Sequence, residues 1–320
     1  MTLWRLLLVV VFICAEAATT ARAQPYPSRP IKLILPFLAG SPNDVIARLV
    51  APHLSARLGQ NIVVENRPGG GTVIGVSAVM NADSDGYTLL FSNSPTHLIA
   101  AVATSAFPYD PVKDFVPIAM VGVSANAIVI ANGVPAANVQ EFVAHAKANP
   151  GKLNFGFGQG TLPQLVGEMF KAAAGIDIVN VPYKGGAQAV TDLLGGRIHL
   201  NIGTPATLLP LHRAGKLRMI GYTATARAPD MPDIPTMVES GYPLVSASYY
   251  GIFGRADLPK EIVFKLNGEV NEALKSAVLR ESMAKLGFEP KPMSPPQMAE
   301  LVAAEAAKWP AIARAVGFQM

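Results

Sequence analysis

Short apolar runs, each closed by a turn of Gly, Pro, Ser or Asn and followed by apolar residues at helical spacing, recur along this chain. That alternation restricts the fold more than any other feature. Strand–helix–strand units join into parallel, doubly wound sheets with helices on both faces. Residues 31–36 (IKLILP) read as a buried strand, and Ser41-Pro42-Asn43-Asp44 follows with a capping serine, a proline at the first helical position and a carboxylate three residues on. Val45, Ile46, Leu49, Val50, Leu54 and Leu58 keep helical spacing until Gly59 ends the helix, with a kink expected at Pro52. Residues 61–65 form the next strand, 72–82 a helix beyond the Arg67-Pro68-Gly69-Gly70-Gly71 turn, and 87–92 a third strand.

A second set begins after Pro150-Gly151. Residues 153–157 are a strand, Gly158-Gln159-Gly160 a tight loop, and Thr161 to Gln164 a second capping pattern before a helix that stops at Gly175. Residues 178–181 lead into Tyr183-Lys184-Gly185-Gly186 and a helix through Leu194; residues 198–202 and 217–222 are further strands. Helices dominate from Pro259 onward, at 261–274, 278–286 and 295–316, the last with a kink expected at Trp309-Pro310. No internal repeat interrupts this order. A chain of 320 residues is long enough for two such domains.

The first 23 residues read as a secretory leader. Arg5 supplies the positive end, residues 6–15 the apolar stretch, and Ala21-Arg22-Ala23 a small-x-small site, so cleavage is expected after Ala23. The apolar stretch is too short to span a bilayer. Ile13 before Cys14 argues against a lipoprotein. Cys14 is the chain's single cysteine, so the exported form can use neither disulfides nor thiolate chemistry. A periplasmic location is expected. With a net charge of only +4 and no basic run, nothing tracks a phosphate backbone, and nucleic acid is not an expected partner.

Two doubly wound sheets imply a cleft beyond the carboxyl ends of their strands, where helix N-termini point unpaired N–H groups. The loops there carry Phe37, Gly40, Ser41, Asn43, Asn93, Ser94, His97, Gly158, Gln159, Gly160, Thr161, Gln164, Tyr183 and Thr204, the candidate ligand-binding residues. They are rich in neutral donors and poor in ionisable groups, which suits an anion held by N–H groups and gives no nucleophile–base pair. Asp44 reads as the cap of its own helix. His53, His97, His145, His199 and His212 are scattered without metal spacing, so neither a metal nor a cofactor is expected. Gly156-x-Gly158-x-Gly160 is not the dinucleotide fingerprint, and no Walker A or G-x-S-x-G sequence occurs.

Tyr26-Pro27-Ser28-Arg29-Pro30-Ile31, Pro36-Phe37, Asp44-x-x-Ala47-Arg48, Val64-Glu65-Asn66-Arg67-Pro68-Gly69 and Asp85-Gly86-Tyr87-Thr88-Leu89-Leu90 occur in order. Tyr109-Asp110-Pro111-x-Lys113-Asp114-Phe115, Pro150-Gly151-Lys152-Leu153-Asn154, Val181-Pro182-Tyr183-Lys184-Gly185 and Thr191-Asp192-Leu193-Leu194-Gly195-Gly196 follow them. Together they resemble the substrate-binding proteins of tripartite tricarboxylate transporters, the Bordetella uptake (Bug) family. The resemblance implies a two-domain, periplasmic-binding-protein-like clamshell (type II) of α/β class, each lobe a doubly wound sheet flanked by helices. Residues 24–125 and 250–320 would form lobe 1 and residues 126–249 lobe 2, with hinges near 123–127 and 246–251. Residues 37–43 and 158–164 would be two fingers gripping the ligand, with Tyr183 and the Gly203-Thr204 region lining the second lobe. The chain departs from the family pattern at Ser41, Pro42, Gln164, His199, Gly203 and Tyr249.

The function this implies is capture of a small organic anion, a carboxylate, for delivery to the membrane permease subunits of a tripartite transporter, by a monomer. Two other classes stand beside it: a ligand-binding sensor module reporting to a receptor, and a secreted enzyme on the same clamshell.

Overall fold

The structure, a computed structural model, describes residues 25–93 and 109–316. The leader, Ser94 and His97 lie outside the described residues. Strand β1 (Ile31–Leu35) leads into helix α1 (Pro42–Leu58), then β2 (Ile62–Asn66), α2 (Val73–Met80) and β3 (Thr88–Asn93). Strand β4 (Phe115–Ala125) runs through Asn126 into β5 (Ala127–Ile130). There follow α3 (Val139–Ala148), β6 (Asn154–Gly158), α4 (Leu162–Ala174), β7 (Val179–Tyr183), α5 (Gly186–Leu194), β8 (Leu200–Gly203), α6 (Pro205–Arg213) and β9 (Arg218–Tyr222). The chain closes with β10 (Ala247–Arg255), α7 (Lys260–Ala273), α8 (Ala277–Lys285), β11 (Glu289–Pro290) and α9 (Pro295–Ala315). Among the described residues no helix is long and apolar enough to cross a membrane.

The strands form two sheets, ordered β11-β4-β10-β3-β1-β2 and β7-β6-β8-β5-β9. Both expected doubly wound sets are present, as the parallel trios β2-β1-β3 and β7-β6-β8. The sheets are mixed rather than wholly parallel, because β10 and β4 join the first antiparallel, and β5 joins β8 and β9 antiparallel in the second. The reason lies in connectivity. These strands carry the chain from one sheet to the other with no crossover helix, so nothing forces them into the parallel direction. The helices expected to kink at Pro52 and at Trp309-Pro310 each run on without interruption.

Each sheet has its own apolar core. Ile31, Leu33, Ile46, Val50, Leu89, Ile252, Val263 and Leu266 pack around the first; Ile128, Phe142, Phe155, Phe170, Leu200 and Ile220 pack around the second. Helix α9 serves both. Met298 and Val302 pack with Ile34, Val76 and Phe253 near the first sheet, whereas Trp309 and Ala313 belong to the second core. The Trp309 indole donates to Glu305 Oε2 at 2.6 Å, giving the buried ring's N–H a partner.

Where the chain crosses between sheets, three small polar residues knot the two passages together. The Asn126 N–H donates to Thr223 Oγ1 (2.8 Å), the Thr223 N–H donates to the Asn126 carbonyl (2.9 Å), and the Thr223 hydroxyl donates to the Ser246 carbonyl (2.7 Å). Asn126 Nδ2 reaches Ser246 Oγ at 3.1 Å. All three residues are buried.

Candidate functional site

The loops after β1 and after β6 are built alike, one on each sheet. In the first, Gly40 takes a left-handed φ of 76°, Ser41 caps α1, and Asp44, three residues on, accepts the Gly40 N–H at 2.9 Å. In the second, Gly160 takes φ 71°, Gln164 Oε1 accepts the Gly160 N–H at 2.8 Å, and Thr161 stands at the N-cap position of α4 but, contrary to expectation, makes no side-chain capping bond. Glycine is required at both places, because a left-handed residue lets the chain turn back so that the third helical side chain can reach it. Gln164, where the family pattern differs, therefore does for its loop what Asp44 does for the other. The Ser41 hydroxyl accepts the Asp44 N–H (3.3 Å), and the Thr161 hydroxyl donates to the Gly158 carbonyl (2.7 Å).

The first loop is braced from behind. Asp44 Oδ1 accepts from Arg48 Nε (2.8 Å) and Asn66 Nδ2 (3.0 Å), and the same amide donates to the Phe37 carbonyl (3.1 Å). Burial pushes the Asp44 carboxyl up, but the bonds from Gly40 and Asn66 and the Arg48 guanidinium outweigh it and hold it below the usual carboxylate range. Asp44 is thus an ionised part of the scaffold, the capping role its spacing implies. Arg48 is engaged by Asp44 and Asn66. Its pairing with Asp44 follows from their i,i+4 spacing on α1, whereas the part of Asn66, at the end of β2, has no local sequence signal.

What remains at the head of α1 is Asn43, 4% exposed, whose Oδ1 has no hydrogen-bond partner among the described residues. Asn93 is buried at the last position of β3, opposite Tyr250 of β10 in register. Burial drives the Tyr250 hydroxyl well above its ordinary range, with Ser248 and Thr204, the residue before α6, acting against it; Thr204 Oγ1 has no hydrogen-bond partner among the described residues. Asn93 and Tyr250 are neighbours in register across β3 and β10, and Tyr250, buried beside a residue that the sequence singles out, has no local signal of its own.

The tips of the loops approach each other. A methyl group on Gly185, just past β7, would come within 2.9 Å of Leu38 Cδ1. Gln159 is exposed and its N–H donates to the Tyr183 carbonyl at 2.9 Å. The Tyr183 hydroxyl donates to Asp192 Oδ2 at 2.7 Å, and burial together with that carboxylate pushes its pKa up to about 12. Its polar end therefore engages α5, which leaves the ring to face neighbouring residues. Lys184 is exposed. His199 is structural: its Nδ1 accepts the Asn154 N–H at 2.9 Å, and burial, aided by His145, lowers its pKa. Among the described residues no group of three His, Cys, Asp or Glu side chains could hold a metal ion.

Two α/β sheets joined by crossing strands, each offering a glycine-capped helix N-terminus beyond its parallel strands, define a two-lobed solute-binding protein. The sequence comparisons agree with that class. Residues 46–318 match the model of the tripartite tricarboxylate transporter family receptor. The chain belongs to that family, whose members are substrate-binding receptors and not enzymes. It is 35% identical to Protein BugT of Bordetella pertussis over the full length of both chains. Among solved structures it resembles an R. palustris protein with adipate (TM-score 0.88, 33% identity, 91% of this chain and 98% of that one). It also resembles MatC of Rhodopseudomonas palustris with bound malate (TM-score 0.83, 28% identity, 90% and 99%).

Proposed function

We propose that this protein captures a small organic carboxylate between its two lobes and presents it to the permease subunits of a tripartite transporter. The observation that carries this reading is the matched pair of loops. Gly40 to Asp44 and Gly160 to Gln164 set two helix N-termini beyond the carboxyl ends of parallel strands, each with its glycine fixed by the side chain three residues into the helix. Such termini hold carboxylates through backbone N–H groups and the helix dipole without a dedicated cation. The adipate and malate bound by two relatives support the same ligand class. In this reading residues 1–23 are removed after Ala23 on export, and the lobes divide at the Asn126–Thr223–Ser246 crossing. Phe37, Ser41, Asn43, Asn93, Thr161, Tyr183 and Thr204 border the ligand, and so would Ser94 and His97.

Thermal unfolding of the exported form against mono- and dicarboxylates, sugars and amines tests the reading. A ligand at 100 times its Kd adds about 2.7 kcal/mol, and each 1 kcal/mol moves Tm by roughly 2–4 °C in chains of 150–250 residues. A rise with carboxylates alone is expected. A response to sugars or amines and none to any carboxylate would reject it.

A further inference from the structure

We infer that the ligand of this protein carries a hydroxyl group beside its carboxylate, and that Asn43 is the residue that reads it. The inference rests on the carboxylate reading above and narrows it.

Asn43 lies three and four residues before Ile46 and Ala47, which pack in the first core, so it heads the same stripe of α1. One turn beyond those residues, the stripe leaves the apolar core and passes the carboxyl end of β1, where ligands of α/β sheets sit. There Asn43 is buried to 4% exposure, and its Oδ1 is an acceptor with no donor among the described residues. A buried polar atom without a partner is costly, and native interiors keep few of them. The neighbouring groups are of the opposite kind. In the first turn of α1 Pro42 has no N–H and the Asp44 N–H is given to Ser41 Oγ, which leaves the Asn43 N–H as the backbone donor, and Asp44, the one charged group in that turn, already has its oxygens satisfied by Gly40, Asn66 and Arg48.

A plain carboxylate presents only acceptors. It suits that N–H but sets lone pairs against Asn43 Oδ1. A hydroxyl next to the carboxylate supplies the missing O–H donor while the carboxylate stays on the helix terminus. Sites built to bond a ligand hydroxyl discriminate against the analogue that lacks it, because the protein group is then left unpaired.

Isothermal titration with matched acids measures this: succinate against malate, and glutarate against 2-hydroxyglutarate. The hydroxylated member of a pair should bind about tenfold more tightly, the effect of one added hydrogen bond. In Asn43→Ala that ratio should collapse towards one, and Asn43→Ser, which retains an oxygen, should restore part of it. Melting curves of both variants establish that they fold. Equal affinities within each pair for the wild-type protein, or a preference that survives in folded Asn43→Ala, would overturn the inference while leaving carboxylate capture intact. Failure of every acid to bind would overturn both.

Discussion

His199 shows how a residue that looks chemical can be structural. Its Nδ1 accepts the Asn154 N–H at 2.9 Å, which requires that nitrogen to be unprotonated, and burial with His145 nearby lowers its pKa from 6.5. The sign of the consequence is fixed. As pH falls below about 6.5 the unfolded chain takes up this proton and the folded chain does not, so stability is lost until the lower folded pKa is passed. Thermal midpoints of wild type and His199→Gln between pH 7 and 5 check this: the glutamine keeps an acceptor but cannot titrate, so its decline should be shallower. An identical decline in both would place the pH sensitivity elsewhere. The capping roles of Ser41, Asp44 and Gln164 were legible in the sequence because both partners lie within one helical turn, whereas the Thr161 hydroxyl, expected to cap α4, turns back to the Gly158 carbonyl. The pairings Tyr183–Asp192 and His199–Asn154 were not legible, since they form between elements that only the tertiary fold brings together.

The same division holds for the elements. Strands followed by capped helices announced themselves through a change of apolar period, and β1, β2, β3, β6, β7, β8 and β9 all fall where it placed them to within a few residues. Of β4, β5 and β10, only residues 123–127 and 246–251 carry an expectation, as hinges implied by the family resemblance, and the rest of these strands shows no capped helix directly behind it. They are long or fully buried strands and form the antiparallel part of each sheet. Helices α3 and α6 also went unread: α6 carries Pro210 within it, and α3 is flanked by no strongly marked strand. The passages between sheets are held by Asn126, Thr223 and Ser246. Thr223→Val keeps the shape but leaves the Asn126 N–H and the Ser246 carbonyl without their side-chain partner, so it should cost about 1–3 kcal/mol in denaturant unfolding. A loss below a few tenths of a kcal/mol would mean that the knot contributes little to joining the lobes.

For the whole molecule, two sheets flanked by helices followed from the repeated strand–helix order, whereas the contacts that tie them did not. Trp309 of α9 packs in the second core while Met298, three turns earlier, packs beside the first sheet. These links suit lobes that move about fixed strands, with ligand contacts on both sides favouring the closed arrangement. The central claim is that one anion is gripped by both glycine-capped helix termini at once. Gly40→Asp and Gly160→Asp test it directly, because aspartate tolerates a left-handed backbone better than most residues yet sets a negative charge on one loop at a time. Carboxylate titrations followed by Tm in wild type and both folded variants provide the measurement. The account predicts a ligand-dependent rise in the wild type that is lost in each single variant. A full rise retained in either variant would contradict it, since that loop would then have no part in holding the ligand.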